Sequence, residues 1–288
     1  MNKTKKIIVS LMTVFVLTLS VLALKNIVNN KISAENQEAS AIEVTYIANE
    51  GFLISSKTKK ILIDALFLDV IKNYHAPPKD VLEKMETAQP PFDQVALILA
   101  THNHDDHFNA QSVARCLKNN PKAVFLSTPQ AVDDMEKNSK AFDSIRERIK
   151  SIKLDVLSSA EKSINGIDVT IIRTAHSGGR PEIQNYMYLI KMEGKKIFHE
   201  GDCDGELQDF ENLGLEKKSI DIAFFHPWFF MDPDGLKIVK EYINPKQVVL
   251  MHIPIRLRED AVSKVAQIKE YYPNLVYLKE FMDKKIFK

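Results

Sequence analysis

The sequence predicts an α+β domain built as a four-layer αββα sandwich, and three observations predict it. Short apolar runs separated by turn residues open the domain, helical patterns alternate with apolar runs from Asn109 onward, and the second half repeats that style. Two sheets that each carry an apolar face pack together, and helices cover their outer faces. Residues 42–48, 51–55 and 60–66 read as an opening meander of strands, with turns at Asn49-Glu50-Gly51 and Lys57-Thr58-Lys59. Residues 74–93 carry Pro77, Pro78, Pro90 and Pro91 around a short helical pattern at 81–87, a surface excursion. The apolar run 95–100 is a strand. Helical patterns follow at 110–117 and 129–137, the latter continued by a second segment to 150, with a strand at 123–126 between them. In the second half, 153–157, 167–173, 186–191, 196–199, 220–225 and 247–251 read as strands, and 205–212, 233–242 and 260–271 as helices.

Immediately after the run 95–100 comes Thr101-His102-Asn103-His104-Asp105-Asp106-His107, which packs three imidazoles and two carboxylates into six positions. Zinc and similar ions take neutral imidazole nitrogen and carboxylate oxygen as ligands. A strand running into a tight loop points His102 and His104 to one side by period-two alternation. Asp106 and His107 fall on the turn beyond, where they can face a second ion. Further along, His176 and His252 each end an apolar run, and Asp202 sits in the turn Glu200-Gly201-Asp202 after another.

With these residues in this order, the chain resembles the metallo-beta-lactamase superfamily, in a branch of metal-dependent hydrolases similar to lactonases and phosphodiesterases. The resemblance covers residues 41–288. It implies that His102, His104 and His176 bind one ion, that Asp106, His107 and His252 bind the other, and that Asp202 bridges them. Asp64, which ends Ile61-Leu62-Ile63-Asp64, matches the family's acidic residue that fixes the ring orientation of a ligand histidine. Taken alone, Asp64 would be a strand-ending turn former. The cofactor implied is a pair of divalent ions, Zn2+ foremost, with Mn2+ or Fe2+ as alternatives. The family also implies weak similarity between the two halves, each ending in metal-binding loops.

Two dications about 3.5 to 4 Å apart lower the pKa of bound water to roughly 7 and can hold a bridging hydroxide while polarising the substrate oxygen. No protein nucleophile is required. The expected reaction is hydrolysis of an ester-type bond, a phosphodiester, lactone or related compound, with Asp106 and Asp202 as catalytic carboxylates and His226 as a proton donor to the leaving group. Beta-lactam hydrolysis is expected as no more than a side activity. Enzymes of that name typically lack an aspartate at the position of Asp202, and the neighbouring Cys203 reads as a small buried thiol. An alternative from another class is a non-catalytic exported protein that binds metal or ligand through the same residues. An oxygen-using iron centre would also take this donor set.

Two segments bear on the substrate. Ser177-Gly178-Gly179-Arg180-Pro181 can approach a ligand closely, and Arg180 can pair an anionic group. His226-Pro227-Trp228-Phe229-Phe230-Met231 places the single tryptophan, Trp228, beside a titratable group, as a substrate rim or as core. Phe67, Tyr74 and His75 are further candidate contacts. The substrate expected is a small-molecule or amphiphilic ester.

Composition bounds the rest. The chain has 288 residues, 45% of them apolar and 27% charged, enough for one domain after an N-terminal segment. A formal net charge of +1 offers no field for nucleic acid, so no nucleic-acid partner is expected. Lys3, Lys5 and Lys6 precede eighteen uncharged, mostly apolar residues, 7–24. This predicts a signal peptide, with small-residue patterns at Val21-Leu22-Ala23 and Ile32-Ser33-Ala34, or a retained transmembrane anchor. Residues 1–40 thus form a leader or anchor with a polar linker, and the hydrolase domain is expected outside the cytoplasm, secreted or held at the membrane. Cys116 and Cys203 need no pairing in so large a core, and nothing in the sequence sets an oligomeric state.

Overall fold

The opening strands are buried on both faces, which demands a layer on each side. Ile42–Ala48 (β1), Gly51–Ser55 (β2) and Lys60–Ile63 (β3) are almost wholly buried. The computed structural model describes Lys25 and residues 41–288. In it β1, β2 and β3 run antiparallel, and β3 continues by parallel pairing into Leu97–Leu99 (β4), Val124–Ser127 (β5) and Ile149–Ser151 (β6). The last strand, Lys284–Phe287 (β14), returns to pair with β1, giving a seven-stranded sheet of order β14-β1-β2-β3-β4-β5-β6. The second sheet takes Ser159–Ile164 (β7), Ile167–His176 (β8), Arg180–Met192 (β9), Lys195–His199 (β10), Ile222–Phe225 (β11), Gln247–Leu250 (β12) and Leu275–Tyr277 (β13), in the order β13-β12-β11-β10-β9-β8-β7.

The inner faces of the two sheets share one core, in which Val44, Phe52, Ile61 and Leu97 meet Ile171, Tyr188, Ile197 and Phe224. The Phe52 and Phe224 rings lie 4.5 Å apart across it. On the outer face of the first sheet lie the helices Lys79–Glu86, Ala110–Asn119 and Pro129–Asn138, which bury Met85, Val113, Leu117 and Met135 against Leu62, Ile98 and Phe125. Short helices and Arg258–Tyr271 cover the second sheet with Phe210, Ile238 and Val265. Two of the covering helices start where the sequence provides caps. Asn109 accepts from the Ser112 N–H, and Thr128 accepts from the Ala131 N–H with Pro129 in the first turn. The αββα sandwich expected from the sequence is the fold.

Several elements differ from expectation. Residues 153–157 are not a strand. The pairing segments are β6 and β7, whose polar and largely exposed residues give no apolar run to recognise. The helical segment expected to reach 150 is a single turn, Phe142–Ile145, before β6. The helix expected over 233–242 is α-helical only over Pro233–Lys237 and winds as a π-helix over Ile238–Ile243. Strands β13 and β14 were not anticipated.

The transmembrane and extracytoplasmic expectations are corrected. Among the described residues no helix is long and apolar enough to cross a membrane, and the apolar run 7–24, with the leader or anchor expected over 1–40, lies outside the described residues apart from Lys25.

Candidate metal centre

Strand direction brings the polar residues together. Strands β1, β3 and β4 run parallel to one another, as do β8, β10, β11 and β12, so the segments that leave them emerge at one edge of each sheet. Asp64 leaves β3, the His102–His107 loop follows β4, His176 ends β8, the Glu200-Gly201-Asp202 turn follows β10, His226 follows β11 and His252 follows β12. The two sheets are tied at this edge, where the Tyr188 hydroxyl donates to the Ala100 carbonyl (2.8 Å) and the Tyr186 N–H to the Thr101 carbonyl (2.9 Å).

Here His102, His104, His176 and Asp202 offer donor atoms that all lie within 4.8 Å of one another, and Asp106, His107 and His252 do the same beside them. Asp202 stands between the two sets. Its Oδ2 is 3.4 Å from His176 Nε2 and 4.0 Å from His102 Nε2, while its Oδ1 is 3.5 Å from His107 Nε2 and 3.8 Å from His252 Nε2. Asp106 Oδ2 lies 3.6 Å from His252 Nε2 and 3.8 Å from His107 Nε2.

Three of the imidazoles, His102, His107 and His176, are aimed by a partner on the other nitrogen. Asp64 accepts from the Thr101 N–H (2.7 Å), the Thr101 hydroxyl (2.6 Å) and His107 Nδ1 (3.0 Å). Because the Thr101 proton is given to Asp64, its oxygen accepts from His102 Nδ1 (3.0 Å). His176 Nδ1 donates to the Ser177 carbonyl (2.8 Å). In all three rings the Nε2 lone pair is left facing the cluster.

The donor set fits a cation. His107 Nε2, His252 Nε2 and Asp202 Oδ1 are buried without a hydrogen-bond partner, and buried polar atoms are otherwise almost always satisfied. Burial, then the nearby His107, holds His102 well below the usual imidazole range, and burial with His176 pushes His104 down to about 4. Burial raises Asp106, but His107 and His252 outweigh it and hold it at about 2. Burial likewise lowers His107, yet Asp202, Asp106 and Glu50 outweigh it and draw that ring well above its ordinary value. The cluster thus sets ionised carboxylates beside His102 and His104, which stay neutral, and draws positive charge, as the raised His107 shows.

The remaining sequence candidates fall at different distances from this centre. Tyr74 stacks on His252, with ring centroids 4.1 Å apart. Trp228 covers His226 at 3.7 Å and is 38% exposed. Arg180 opens β9 as an exposed residue, directly across from His176, and its charge contributes to lowering His104. His75 packs on Phe281, and Phe67 is buried. Cys116 and Cys203 are both free thiols, and Cys203 Sγ donates to Glu200 (3.2 Å), away from either donor set. His226, expected as a proton donor, is fully buried, with Nδ1 2.6 Å from Glu200 Oε1 and Nε2 2.7 Å from Glu50 Oε1, and faces the interior of the cluster.

Sequence reasoning missed Glu50 and Glu200, both fully buried, and the supports of the Asp202 turn. Asn185 accepts from the Asp202 N–H (3.1 Å) and donates to the Glu200 carbonyl (3.3 Å). A signal for Glu50 was present: it is the one charged side chain between the apolar runs of β1 and β2, in a turn that reads as ordinary punctuation. Gly201 is held at φ +58, and a Cβ there would lie 2.7 Å from Asn185 Oδ1 and 2.8 Å from Thr101 Cβ. Gly201→Ala is therefore expected to cost roughly 2 to 4 kcal/mol, a fall in Tm of roughly 5 to 10 °C by thermal unfolding, because the turn that carries Asp202 must shift.

Comparison with known proteins agrees with this geometry. Residues 43–252 match the family model described as a beta-lactamase superfamily domain. A UPF0173 metal-dependent hydrolase of Pyrococcus abyssi is 27% identical over 217 residues, covering 73% of this chain and 84% of the relative. One from Bacillus velezensis is 27% identical over 221 residues, covering 73% and 85%. In fold, the chain is similar to the metallo-beta-lactamase fold protein YhfI of Bacillus subtilis (TM-score 0.57, 14% identity, covering 86% of this chain and 100% of that one). It is also similar to Igni18, a metallo hydrolase of Ignicoccus hospitalis (TM-score 0.54, 17% identity, covering 86% and 99%). The chain belongs to the metallo-beta-lactamase superfamily and is a metal-dependent hydrolase of that family.

Proposed function

We propose that the chain hydrolyses an ester-type bond, a phosphodiester, lactone or related ester, at two divalent ions, with zinc the first choice and manganese or iron the alternatives. His102, His104 and His176 would hold one, Asp106, His107 and His252 the other, and Asp202 both. The observation that carries this reading is the division of Asp202, one oxygen towards each donor set. When bound, the ions supply a water whose pKa is brought towards roughly 7 and polarise the substrate oxygen.

The protein's own groups do the rest. Asp202 and Asp106 stay ionised and can accept hydrogen bonds from an attacking water. The Tyr74 phenol, pushed up to about 12 by burial and by Asp202, keeps its proton and can donate to a substrate oxygen over His252. Arg180 stands beside His176 on the other flank, where it can pair an anionic group. Beyond Tyr74 and Trp228 opens a cavity of about 350 Å³, lined by Met231, Ile253, Leu257 and Val265, with Arg256 and Lys264 among its walls. It suits the apolar part of an amphiphilic ester.

The test is a panel of short-chain and long-chain phosphodiesters, lactones and beta-lactams, offered to full-length protein loaded with zinc or manganese. Turnover of at least one phosphodiester or lactone, lost with chelator and restored by metal, is the expected result. Trp228→Ala is expected to raise KM for a long-chain ester about tenfold, the loss of roughly 1.4 kcal/mol of apolar contact, with little effect on a short one. No turnover across the panel by a metal-loaded protein would refute the ester-type reading.

A further inference from the structure

We propose that the substrate carries an anionic group at the far end of its apolar part, and that Arg256 and Lys264 bind this group in the cavity beside the metal centre. The inference rests on the hydrolytic reading above for the reacting end of the substrate and adds a second point of recognition for the other end.

The cavity lies between the Pro227–Phe230 turn and the Arg258–Tyr271 helix. Two aromatic residues join it to the candidate metal centre. Tyr74 and Trp228 line it, and the same two rings meet His252 at 4.1 and 6.0 Å between centroids. His252 sits at φ +53, and beyond this bend Ile253 and Pro254 become cavity wall. The mouth is held in place by the Ile255 N–H, which donates to the Asn73 carbonyl (2.9 Å) next to Tyr74. On the helix, Ala261, Lys264, Val265 and Ile268 share one face by their spacing of three and four, and all of them line the cavity. Met231, also in the lining, is 58% exposed, an apolar surface that a bound chain covers.

Charge decides what fits. Arg256 and Lys264 line the cavity, and no aspartate or glutamate does. Lys60, Arg115 and Lys246 each meet a carboxylate elsewhere on the surface, whereas neither Arg256 nor Lys264 has an ion-pair or side-chain hydrogen-bond partner among the described residues. An apolar slot walled by two unpaired cations is complementary to an alkyl chain that ends in a carboxylate, phosphate or sulfate. With its ester at the metal centre, such a chain enters between Tyr74 and Trp228, and the two cations meet its anionic end. A neutral chain gains only the apolar contact, so the pair selects by charge.

The experiment uses full-length, zinc-loaded protein and two probes with the same chain and opposite charge, decanesulfonate and decyltrimethylammonium, both below the concentration at which they form micelles. Binding is read from the fluorescence of Trp228, the single tryptophan of the chain, with calorimetry as a second measure. Wild type is expected to bind the sulfonate at least about tenfold more tightly than the ammonium, with the emission moved to shorter wavelength. The double variant Arg256→Ala, Lys264→Ala is expected to lose about tenfold in sulfonate affinity and most of the selectivity, with circular dichroism reporting the fold. The wild-type comparison needs no variant, so a folding defect leaves the test decisive. Sulfonate bound no more tightly than ammonium by wild type, or equally well by wild type and the folded double variant, would overturn the inference whatever the ester panel shows. Sulfonate-selective binding by a protein that turns over no ester would support the anion site and fail only the hydrolytic reading.

Discussion

Asp202→Ala is expected to lower turnover by at least about 10³-fold, a loss of roughly 4 kcal/mol of transition-state stabilisation. The size of the effect follows from position. One side chain presents an oxygen to His102 and His176 and the other oxygen to His107 and His252, so its removal strips a donor from both sets at once. The fold should survive, because the turn is held by its backbone: the Asp202 N–H donates to Asn185, and the Asp202 carbonyl accepts from the Ser177 N–H (2.8 Å). Steady-state kinetics on a purified, folded variant checks this. An Asp202→Ala protein with wild-type turnover would remove Asp202 from the chemistry.

Asp64→Ala is expected to damage stability and metal affinity together. Asp64 is 1% exposed and accepts three hydrogen bonds, two from Thr101 and one from His107. Its loss leaves the Thr101 N–H and His107 Nδ1 buried without acceptors, at about 1 to 3 kcal/mol each, and releases the Thr101 hydroxyl to turn away from His102. The expected outcome is a loss of roughly 3 kcal/mol in denaturant unfolding of the metal-free protein and of about 10- to 100-fold in metal affinity. Asp64→Asn, which keeps an acceptor oxygen, should fall between the two. Unchanged unfolding and unchanged metal affinity in Asp64→Ala would show that ring orientation does not depend on this carboxylate.

The architecture was legible because apolar runs such as 42–48 and 95–100 declare buried strands by themselves. The seven positions proposed as ligands were legible for a related reason. Each of these strands is followed by a short polar segment with little to do but function, and the order His-x-His-x-Asp-His, His176, Asp202, His252 is dense enough to read without structure. What escaped notice shares a different physical character. Strand β7 is mostly exposed polar residues, with only Ala160 and Ile164 half-buried, and is recognised only by pairing with β8. Glu50 and Glu200 look like turn residues in sequence and become buried groups at the candidate centre only when the edges of two sheets are brought together. His226 stands out in the sequence, but its environment, with carboxylates on both ring nitrogens, depends on residues 176 positions away at Glu50 and 26 away at Glu200. Local pattern carries no information over such separations.

The central claim is that the clustered histidines and carboxylates hold divalent ions. Elemental analysis of full-length protein purified without chelator tests it most directly. The account predicts about two divalent ions per chain, removed by chelator and restored on reconstitution. Protein that binds no zinc, manganese or iron, even after reconstitution, would contradict it.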